Sequence, residues 1–342
     1  MTYRESNRYK SQHEVQLLQK MEEGLKRTVV ISPDITITDI KRFLGVCIFS
    51  SVVQVPNLRL LWNPVIGNEV VIDALSINDF ERIRQFLHFN YNEKMIPYKE
   101  DGHDRLYKVR PVMNRLLCNF QKVPLEESLS VDEQLCATKT ASFLKQYLPD
   151  KPHKWGYKFF VLCGVSGFAY NFELYTGNED ICLPGEPDLG ASSNVVVRLA
   201  RIVPDFHHHK LYFDNYYTSM PLLSFLEGKF IHSLGTVKFC RLLEKEDLKN
   251  AIFDVLSNRK PKLGEMKHNK RGDYIEYVTE LEGHPIVFIA WKDNKVVSMI
   301  SSFCSSLPVT KIERFCKKER KRIEVNCPAI VKVYNKHMGV WI

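Results

Sequence analysis

Apolar residues recur at intervals of three and four through the first third of the chain, which predicts helices. The stretch TDIKRFLGVCIFSSVV is expected to begin at its N-cap Thr38, and SINDFERIRQFLHF at Ser76. A third helix is predicted from Pro111 within RLYKVRPVMNRLLCNFQKV, because proline fits the first helical turn. We therefore expect residues 1–127 to form a mostly helical domain.

The pattern changes to strands alternating with helices over residues 128–240. ESLSVDEQ and KLYFDNYYTS are apolar runs with an acid near the end, and KFFVLCGVSGFAYNFELYTG holds two β-rich runs split by Gly164–Gly167, as in a hairpin. Helices are predicted at 191–203 and 220–229, with a further strand at 230–238. This order predicts an α/β domain, with a mixed sheet flanked by helices.

Residues 241–326 show a third pattern. KHNKRGDYIEYVTELEGHPIVFIAWKDNKVVSMISSF alternates β-branched and aromatic residues between turn signals, which predicts an antiparallel β-rich insertion. Trp291 is expected in the core, and Asp293–Asn294 in a hairpin turn, with a metal-ligand role for Asp293 as the alternative. CPAIVKVYNKHMG turns helical after Pro328, so residues 327–342 are expected to form the last helix of the mixed-sheet domain.

Composition narrows the class of protein. The 342 residues are 44% hydrophobic, enough for a sizeable core, and no apolar run is long enough to span a membrane. The N-terminal residues are too polar for a signal peptide, so a secreted protein is not expected. Nine cysteines without a CxxC pair suit a reducing compartment and give no zinc-site spacing.

Positive charge is concentrated in one stretch of the β-rich insertion. The net charge is +8, and KIERFCKKERKR (311–322) holds seven Lys and Arg against two Glu. Such a stretch can contact the phosphates of DNA or act as a nuclear import signal, and a solvated helix face or loop is the alternative. The candidate nucleic-acid-binding residues are Lys317, Lys318, Arg320, Lys321 and Arg322.

Two acids follow apolar strand residues about 80 positions apart. Asp132 and Asp214 could meet at one end of the sheet, because strands distant in sequence can lie side by side. Converging carboxylates repel each other unless a divalent cation such as Mg²⁺ binds between them. The alternative is that each acid is an ordinary turn or cap residue.

A series of motifs resembles the piggyBac transposases and the piggyBac transposable element-derived proteins, in the right order over about positions 36–339. The motifs are ITDIKRFLGV, FERIRQFLHF, DRLYKVRPVMNRL, LSVDEQ, FLKQYLPDKPHKWGYKFFVLCGVSGFAYNFELYTG, LYFDNYYTSMPLL, GTVK, WKDNKVVSMISS and VYNKHMG. The resemblance implies an RNase H-like catalytic core with a β-rich insertion before its last helix. It also implies a preceding helical domain for dimerisation and DNA binding.

The resemblance further implies cut-and-paste DNA transposition. That activity comprises metal-dependent hydrolysis at transposon ends, a hairpin intermediate and joining to TTAA targets. The family's active site is a cluster of Asp residues, and the first two fall on Asp132 in SVDEQ and Asp214 in FDNYYTS. Mg²⁺ or Mn²⁺ is the implied cofactor. The implied partners are double-stranded DNA and a second copy of the chain or an intact transposase, and the implied location is the nucleus.

The sequence departs from the family pattern in two places. The remaining family acids follow the YNKHMG motif in a Gly-Val-Asp segment, where this sequence reads MGVWI at 338–342. After VDEQ, Lys139 is kept, but Thr140–Ala141 replaces a Gly-Arg pair. We therefore expect an incomplete metal site, weakened metal binding and DNA binding without transposition. The alternatives are an active transposase in which Glu133 or Asp293 replaces the missing acid, and an unstable fragment or short isoform.

Overall fold

Two compact units make up the chain, Met1–Leu116 and Leu117–Ile342. The computed structural model describes residues 2–23, 31–149, 151–177, 182–238, 266–281, 283–317 and 319–338. The domain boundaries expected after residues 127, 240 and 326 stay predictions. None of the described helices combines the length and apolarity needed to cross a membrane.

The first unit is helical, as the periodicity predicts. Its core joins α2 (Ile37–Val52) and α4 (Ile77–Phe86), where the Phe43 and Phe80 rings stack with centroids 4.8 Å apart and Ile83 is fully buried. A fifth helix, α5, runs from Arg110 to Phe120 and continues into the second unit. The first four helices are α1 (Thr2–Glu22), α2 (Ile37–Val52), α3 (Glu69–Ala74) and α4 (Ile77–Phe86).

Polar contacts rather than an apolar stripe fix the first helix, which explains why the periodicity did not indicate it. Lys10 is 3% exposed, and its Nζ donates to the Ser32 carbonyl at 2.7 Å and pairs with Asp34 at 2.8 Å. Asn7 exchanges two hydrogen bonds with the backbone of Ile35. Buried polar groups that are fully paired in this way stabilise a unique packing.

The start of α2 corrects one prediction from the sequence. The N-cap is Thr36 and not Thr38, because the Thr36 side chain accepts from the Asp39 N–H while the Asp39 carboxylate accepts from the Thr36 N–H. This reciprocal capping box satisfies two donors at once. Thr38 has no acidic residue three positions later, so it cannot form the same box.

The second unit is built on one large mixed sheet. Its described strands are β1 (Ser128–Ala137), β2 (Lys145–Tyr147), β3 (Trp155–Gly164), β4 (Ala169–Leu174), β5 (Lys210–Phe213), β6 (His232–Thr236), β7 (Tyr274–Leu281), β8 (His284–Lys292) and β9 (Val296–Ser301). The strand order is β2-β3-β1-β5-β6-β9-β8-β7, with β4 on β3. The pairs β1–β5 and β5–β6 are parallel and the other strand pairs are antiparallel. The predicted β-rich segment therefore extends the same sheet through β9.

Helices cover both faces of this sheet, which confirms the predicted mixed α/β fold class. Helices α6 (Ala191–Ala200) and α7 (Met220–Glu227) share a hydrophobic cluster with Leu129 and Phe213. The last described helix, α8 (Ala329–Met338), packs Ile330 against the other face. The His337 ring of α8 stacks on Tyr212 of β5, with centroids 4.5 Å apart.

A separate hairpin precedes α8. It consists of β10 (Thr310–Cys316) and β11 (Lys321–Cys327), which form a two-stranded sheet of their own. Trp291 of β8 is 2% exposed, as expected for a core residue, and its Nε1 donates to the Asn326 carbonyl of β11 at 2.8 Å. This bond ties the hairpin to the large sheet.

Candidate functional site

The parallel pairing of β1 with β5 brings the two candidate acids side by side. Val131 pairs with Phe213, so the next residues, Asp132 and Asp214, follow at neighbouring positions. Strand β5 ends at Phe213, whereas β1 continues to Ala137 in its pairing with β3. Adjacent strands lie about 4.8 Å apart, which makes the two residues close neighbours. By alternation, both share a face with Tyr212, the face that α8 covers.

A tight turn after β5 fixes the position of Asp214. Its Oδ1 accepts the Tyr216 N–H at 2.8 Å, which is the usual Asx-turn contact. Its carbonyl oxygen accepts the hydroxyl of Thr218 at 2.7 Å and the N–H of Tyr217 at 3.3 Å. The acid therefore ends the strand and is held by backbone and side-chain bonds together.

Asp132 has the most perturbed carboxyl of the site. Burial is the main cause that raises its pKa from 3.8 to about 6, and the nearby charge of Glu133 adds to it. The Glu133 N–H donates to Asp132 Oδ1 at 2.8 Å, and Lys151 is attracted to the carboxylate, and both effects lower the pKa. Because the pKa stays raised in spite of these contacts, the nearby positive charge does not outweigh the burial of the carboxyl.

Two lysines lie near these acids. Lys151 Nζ is 3.9 Å from Glu133 Oε1. Burial lowers the pKa of Lys158, while attraction to Glu133, Asp214 and Asp132 opposes that shift. The Lys158 ammonium also lies 4.7 Å from the centre of the Tyr216 ring. The site therefore contains both acids and ammonium groups that could face a phosphodiester.

Two tyrosines of the site were missed by the sequence analysis. Burial, with a smaller contribution from Asp214 and Asp132, raises the pKa of Tyr334 on α8 to about 12. Burial, and to a smaller extent the charges of Glu133, Asp132 and Asp214, raise the pKa of Tyr217. Its hydroxyl donates to Glu133 Oε2 at 3.4 Å. Both phenols stay protonated near neutral pH. Tyr334 follows the spacing of three and four of the apolar residues in CPAIVKVYNKHMG, which is typical of a core position, and only the adjacent YY in FDNYYTS hinted at Tyr217.

The oxygen donors of Asp132 and Asp214 fit a divalent cation. Carboxylate oxygens are the ligands that Mg²⁺ prefers, and a bound cation would offset the burial that raises the Asp132 pKa. Among the residues that the structure describes, no group of three His, Cys, Asp or Glu side chains is arranged to hold a metal ion. The pair would thus supply two ligands. The sequence predicts that the MGVWI segment lacks the third acid of the family, and residues 339–342 of that segment lie outside the described residues.

The other candidate ligand lies elsewhere. Asp293 is in the turn between β8 and β9, which lie three and two strands from β5 in the sheet order. Its carboxylate binds the Arg271 guanidinium and lies 3.5 Å from Arg314 Nε. The structure thus gives Asp293 two arginine partners, and its role as a metal ligand stays a prediction.

The basic stretch forms the β10–β11 hairpin and its turn, with Lys318 outside the described residues. Lys317 and Arg320 are exposed at the turn. Arg322 pairs with Glu313 at 3.2 Å, and Lys321 pairs with Glu319 of the turn at 2.9 Å. These ion pairs reduce the local positive field, so the turn carries the strongest case for phosphate contacts.

Comparison with known proteins gives the family. The chain matches the family model described as Transposase IS4 over residues 3–341. It is 30% identical to the human PiggyBac transposable element-derived protein 2 over 314 residues, which are 90% of this chain and 49% of that protein. The human PiggyBac transposable element-derived protein 3 is 28% identical over 310 residues, 89% of this chain and 48% of that protein. The chain spans about half the length of the curated relatives it matches.

A solved structure shares the fold. It is a cryo-EM structure of a piggyBac transposase synaptic complex with hairpin DNA, and it superposes with a TM-score of 0.68 at 19% sequence identity. The match covers 99% of this chain and 63% of that one. The family resemblance of the motifs is confirmed, and the chain belongs to the piggyBac-type Transposase IS4 family.

Proposed function

We propose that this chain is a piggyBac transposase-derived protein that binds double-stranded DNA and holds a divalent cation weakly between Asp132 and Asp214. The parallel β1–β5 register carries the proposal, because it makes these two acids neighbours in an RNase H-like sheet, just after the last β1–β5 register pair. The structural neighbour, a synaptic complex with hairpin DNA, supports DNA as the partner.

We also place the protein in the nucleus, and a fluorescently tagged chain found only in the cytoplasm would contradict this.

Each residue of the site has a defined part in this proposal. Asp132 and Asp214 bind the Mg²⁺ or Mn²⁺ ion, and Lys158 attracts the phosphate while partly offsetting the acids. Tyr217 holds the Glu133 carboxylate through its hydroxyl. A divalent cation bound there would polarise a phosphoryl oxygen of the DNA. Because a pair of carboxylates carries less charge than a two-metal site needs, we expect DNA binding without strand cleavage.

The first test is a cleavage assay beside a binding assay. Supercoiled plasmid and a labelled duplex are incubated with the purified chain in Mg²⁺ and in Mn²⁺. We expect a shifted duplex and no nicked plasmid beyond the level of the Asp214→Ala variant. Metal-dependent nicking that disappears in Asp214→Ala would show an active nuclease and overturn the non-catalytic part of the proposal.

Neutralising the hairpin turn is expected to weaken duplex binding. The double variant Lys317→Gln, Arg320→Gln should lose about tenfold in affinity near 0.1 M salt. The slope of log K against log salt should fall by about 1.8, since each lost phosphate contact removes about 0.9. Fluorescence anisotropy with a labelled duplex at several salt concentrations measures both quantities.

The matched control removes the same net charge from another surface. Lys229 and Arg201 are partnered by Asp205 and Glu186, so their local positive field is already offset. The variant Lys229→Gln, Arg201→Gln should leave the salt slope within the error of wild type. Equal losses in both double variants would mean that only the net charge matters and that the turn makes no specific contact.

A second candidate function is an active transposase in which Glu133 is the third acid. The observation that favours it is the closeness of Glu133 to Asp132, whose pKa the Glu133 charge raises. In that case the Glu133→Gln variant would lose metal-dependent excision of a matching inverted-repeat substrate. If no excision product forms with the unaltered chain, this alternative is excluded.

A further inference from the structure

One edge of the large sheet exposes a group of aromatic side chains. Scattered exposed apolar residues are normal in folded proteins, but a local group of large rings indicates a binding surface. Strand β2 lies at the end of the sheet order and pairs with β3. We define the β2–β3 aromatic patch as Tyr147 of β2 and Trp155 of β3, which are 48% and 52% exposed, together with Phe143, which is 70% exposed and precedes β2 by two residues in the chain.

Two of these rings are held in fixed positions by the sheet. Tyr147 is the register partner of Trp155, and their ring centroids are 4.8 Å apart with the planes tilted by 47°. The Lys145 ammonium lies 5.5 Å from the centre of the Trp155 ring. Because both rings project from hydrogen-bonded strands, a ligand would meet a surface that needs little ordering on binding.

Positive charge surrounds the patch. The sequence from 138 to 158 holds five lysines and a single acid, Asp150. Lys139 and Lys154 are both exposed. An acidic peptide would need only the lysines, whereas lysines interleaved with exposed rings match a strand of phosphates and bases. Bases present their faces to aromatic rings only when they are unpaired, so the chemistry fits a single strand better than a duplex.

The patch shares a sheet face with the two carboxylates. Val161 of β3 is the register partner of Asp132, and Trp155 lies six residues earlier on the same strand. An even separation keeps both positions on one face, and six residues of strand span about 20 Å. A short nucleic-acid strand along β3 would therefore connect the aromatic patch with Asp132 on the neighbouring strand β1.

We propose that the β2–β3 aromatic patch stacks the unpaired bases of a DNA strand whose backbone runs along β3 towards Asp132. The inference rests on the proposed DNA-binding function and deepens it, because it names the form of DNA that this surface takes. Trp155 and Tyr147 supply the stacking faces. Lys139, Lys145 and Lys154 supply the charge that follows the phosphates.

The test compares single-stranded and duplex DNA on the full chain. Fluorescence anisotropy measures the affinity for a fluorescein-labelled oligothymidylate and for a labelled duplex of equal length. Trp155→Ala should lower the single-strand affinity about tenfold, since it removes the face on which one base stacks. It should change the duplex affinity by less than about twofold. Trp155→Phe keeps a ring and should retain most of the single-strand affinity.

Phe206 provides the matched control, because it is 66% exposed and lies outside β2 and β3. Phe206→Ala should change neither affinity. An unchanged single-strand affinity in Trp155→Ala would overturn the proposal, and so would equal losses for single strand and duplex. If the unaltered chain binds the single strand through Trp155 but does not bind the duplex, then the proposed duplex-binding function fails while the stacking site stands.

Discussion

Replacing Asp132 by Asn is expected to raise the stability of the protein at pH 7.5. Burial raises the pKa of this carboxyl from 3.8 to about 6, so its ionisation opposes folding at neutral pH. A shift of this size corresponds to at most about 3 kcal/mol, and partial solvent access reduces it to about 1–2 kcal/mol. Asn keeps an oxygen that can accept the Glu133 N–H and carries no charge.

The gain from Asp132→Asn should depend on pH in a defined way. Because the folded pKa lies above the unfolded one, the cost of Asp132 is absent below pH 3.8 and complete above about pH 6. The difference in melting temperature should therefore be about 2–6 °C at pH 7.5 and shrink towards zero near pH 4. Thermal melts of both proteins at several pH values measure it.

Magnesium supplies a second readout that does not require catalysis. An ion bound by Asp132 and Asp214 would offset the cost of ionisation in the wild type. For a dissociation constant of about 1 mM, about 10 mM Mg²⁺ adds about 1.4 kcal/mol of stability. The variant should gain much less, so the two melting temperatures should approach each other. Equal responses to Mg²⁺ would exclude Asp132 as a ligand.

Asp293→Asn is the matched control with the opposite sign. Asp293 binds Arg271 and Arg314, so removing its charge leaves two guanidinium groups without their acid. We expect this variant to lose about 1 kcal/mol at pH 7.5. A lower melting temperature for Asp132→Asn at the same pH would contradict the burial of an uncompensated carboxyl at that position.

Some elements of this fold are determined by the local sequence pattern, and others by pairing between distant parts of the chain. Periodicity and turn residues located α4 from Ser76 and the β3–β4 hairpin at Gly164–Gly167, because both depend on neighbours in the chain. The extension of the central sheet by β7–β9 could not be predicted, since it depends on the β6–β9 pairing across a long stretch of chain. Alternation alone gives strands but not their neighbours.

The candidate site shows the same division. Each acid could be placed after an apolar run, but their closeness follows from the β1–β5 register, which no spacing reveals. Tyr334 follows the helical spacing of α8 like any core residue, and only the packing of α8 brings its phenol near the acids. Lys158 likewise reaches the site because β3 pairs with β1. Side-chain chemistry was therefore visible in the sequence, whereas its assembly was not.

Gly235→Ala is expected to cause the largest loss of stability among the variants considered. Gly235 lies in β6 between Phe213 of β5 and Ile300 of β9. A Cβ added there would lie 2.4 Å from Thr218 Oγ1 and 2.8 Å from the Phe213 ring, closer than real Cβ contacts allow. Both neighbours are buried and cannot move away freely. We expect a loss of about 3 kcal/mol, measured by urea denaturation.

The same substitution should disturb the site through Thr218. The Thr218 hydroxyl donates to the Asp214 carbonyl at 2.7 Å, so displacing Thr218 moves the turn that positions Asp214. Gly235→Ala should therefore also weaken the stabilisation by Mg²⁺. Adding Thr218→Ala removes the closest clash, and the double variant should cost about 1 kcal/mol less than the sum of the single variants.

Gly45→Ala is the control that separates this clash from the general effect of adding a methyl group. Gly45 is exposed on α2, and a Cβ there meets no atom within 4 Å. Because alanine favours helix over glycine by about 1 kcal/mol, Gly45→Ala should be neutral or stabilising. If the free energy of unfolding of Gly235→Ala instead lies within about 1 kcal/mol of the wild-type value, β6 is not packed against the turn after β5. The structural basis for holding Asp214 beside Asp132 would then be wrong.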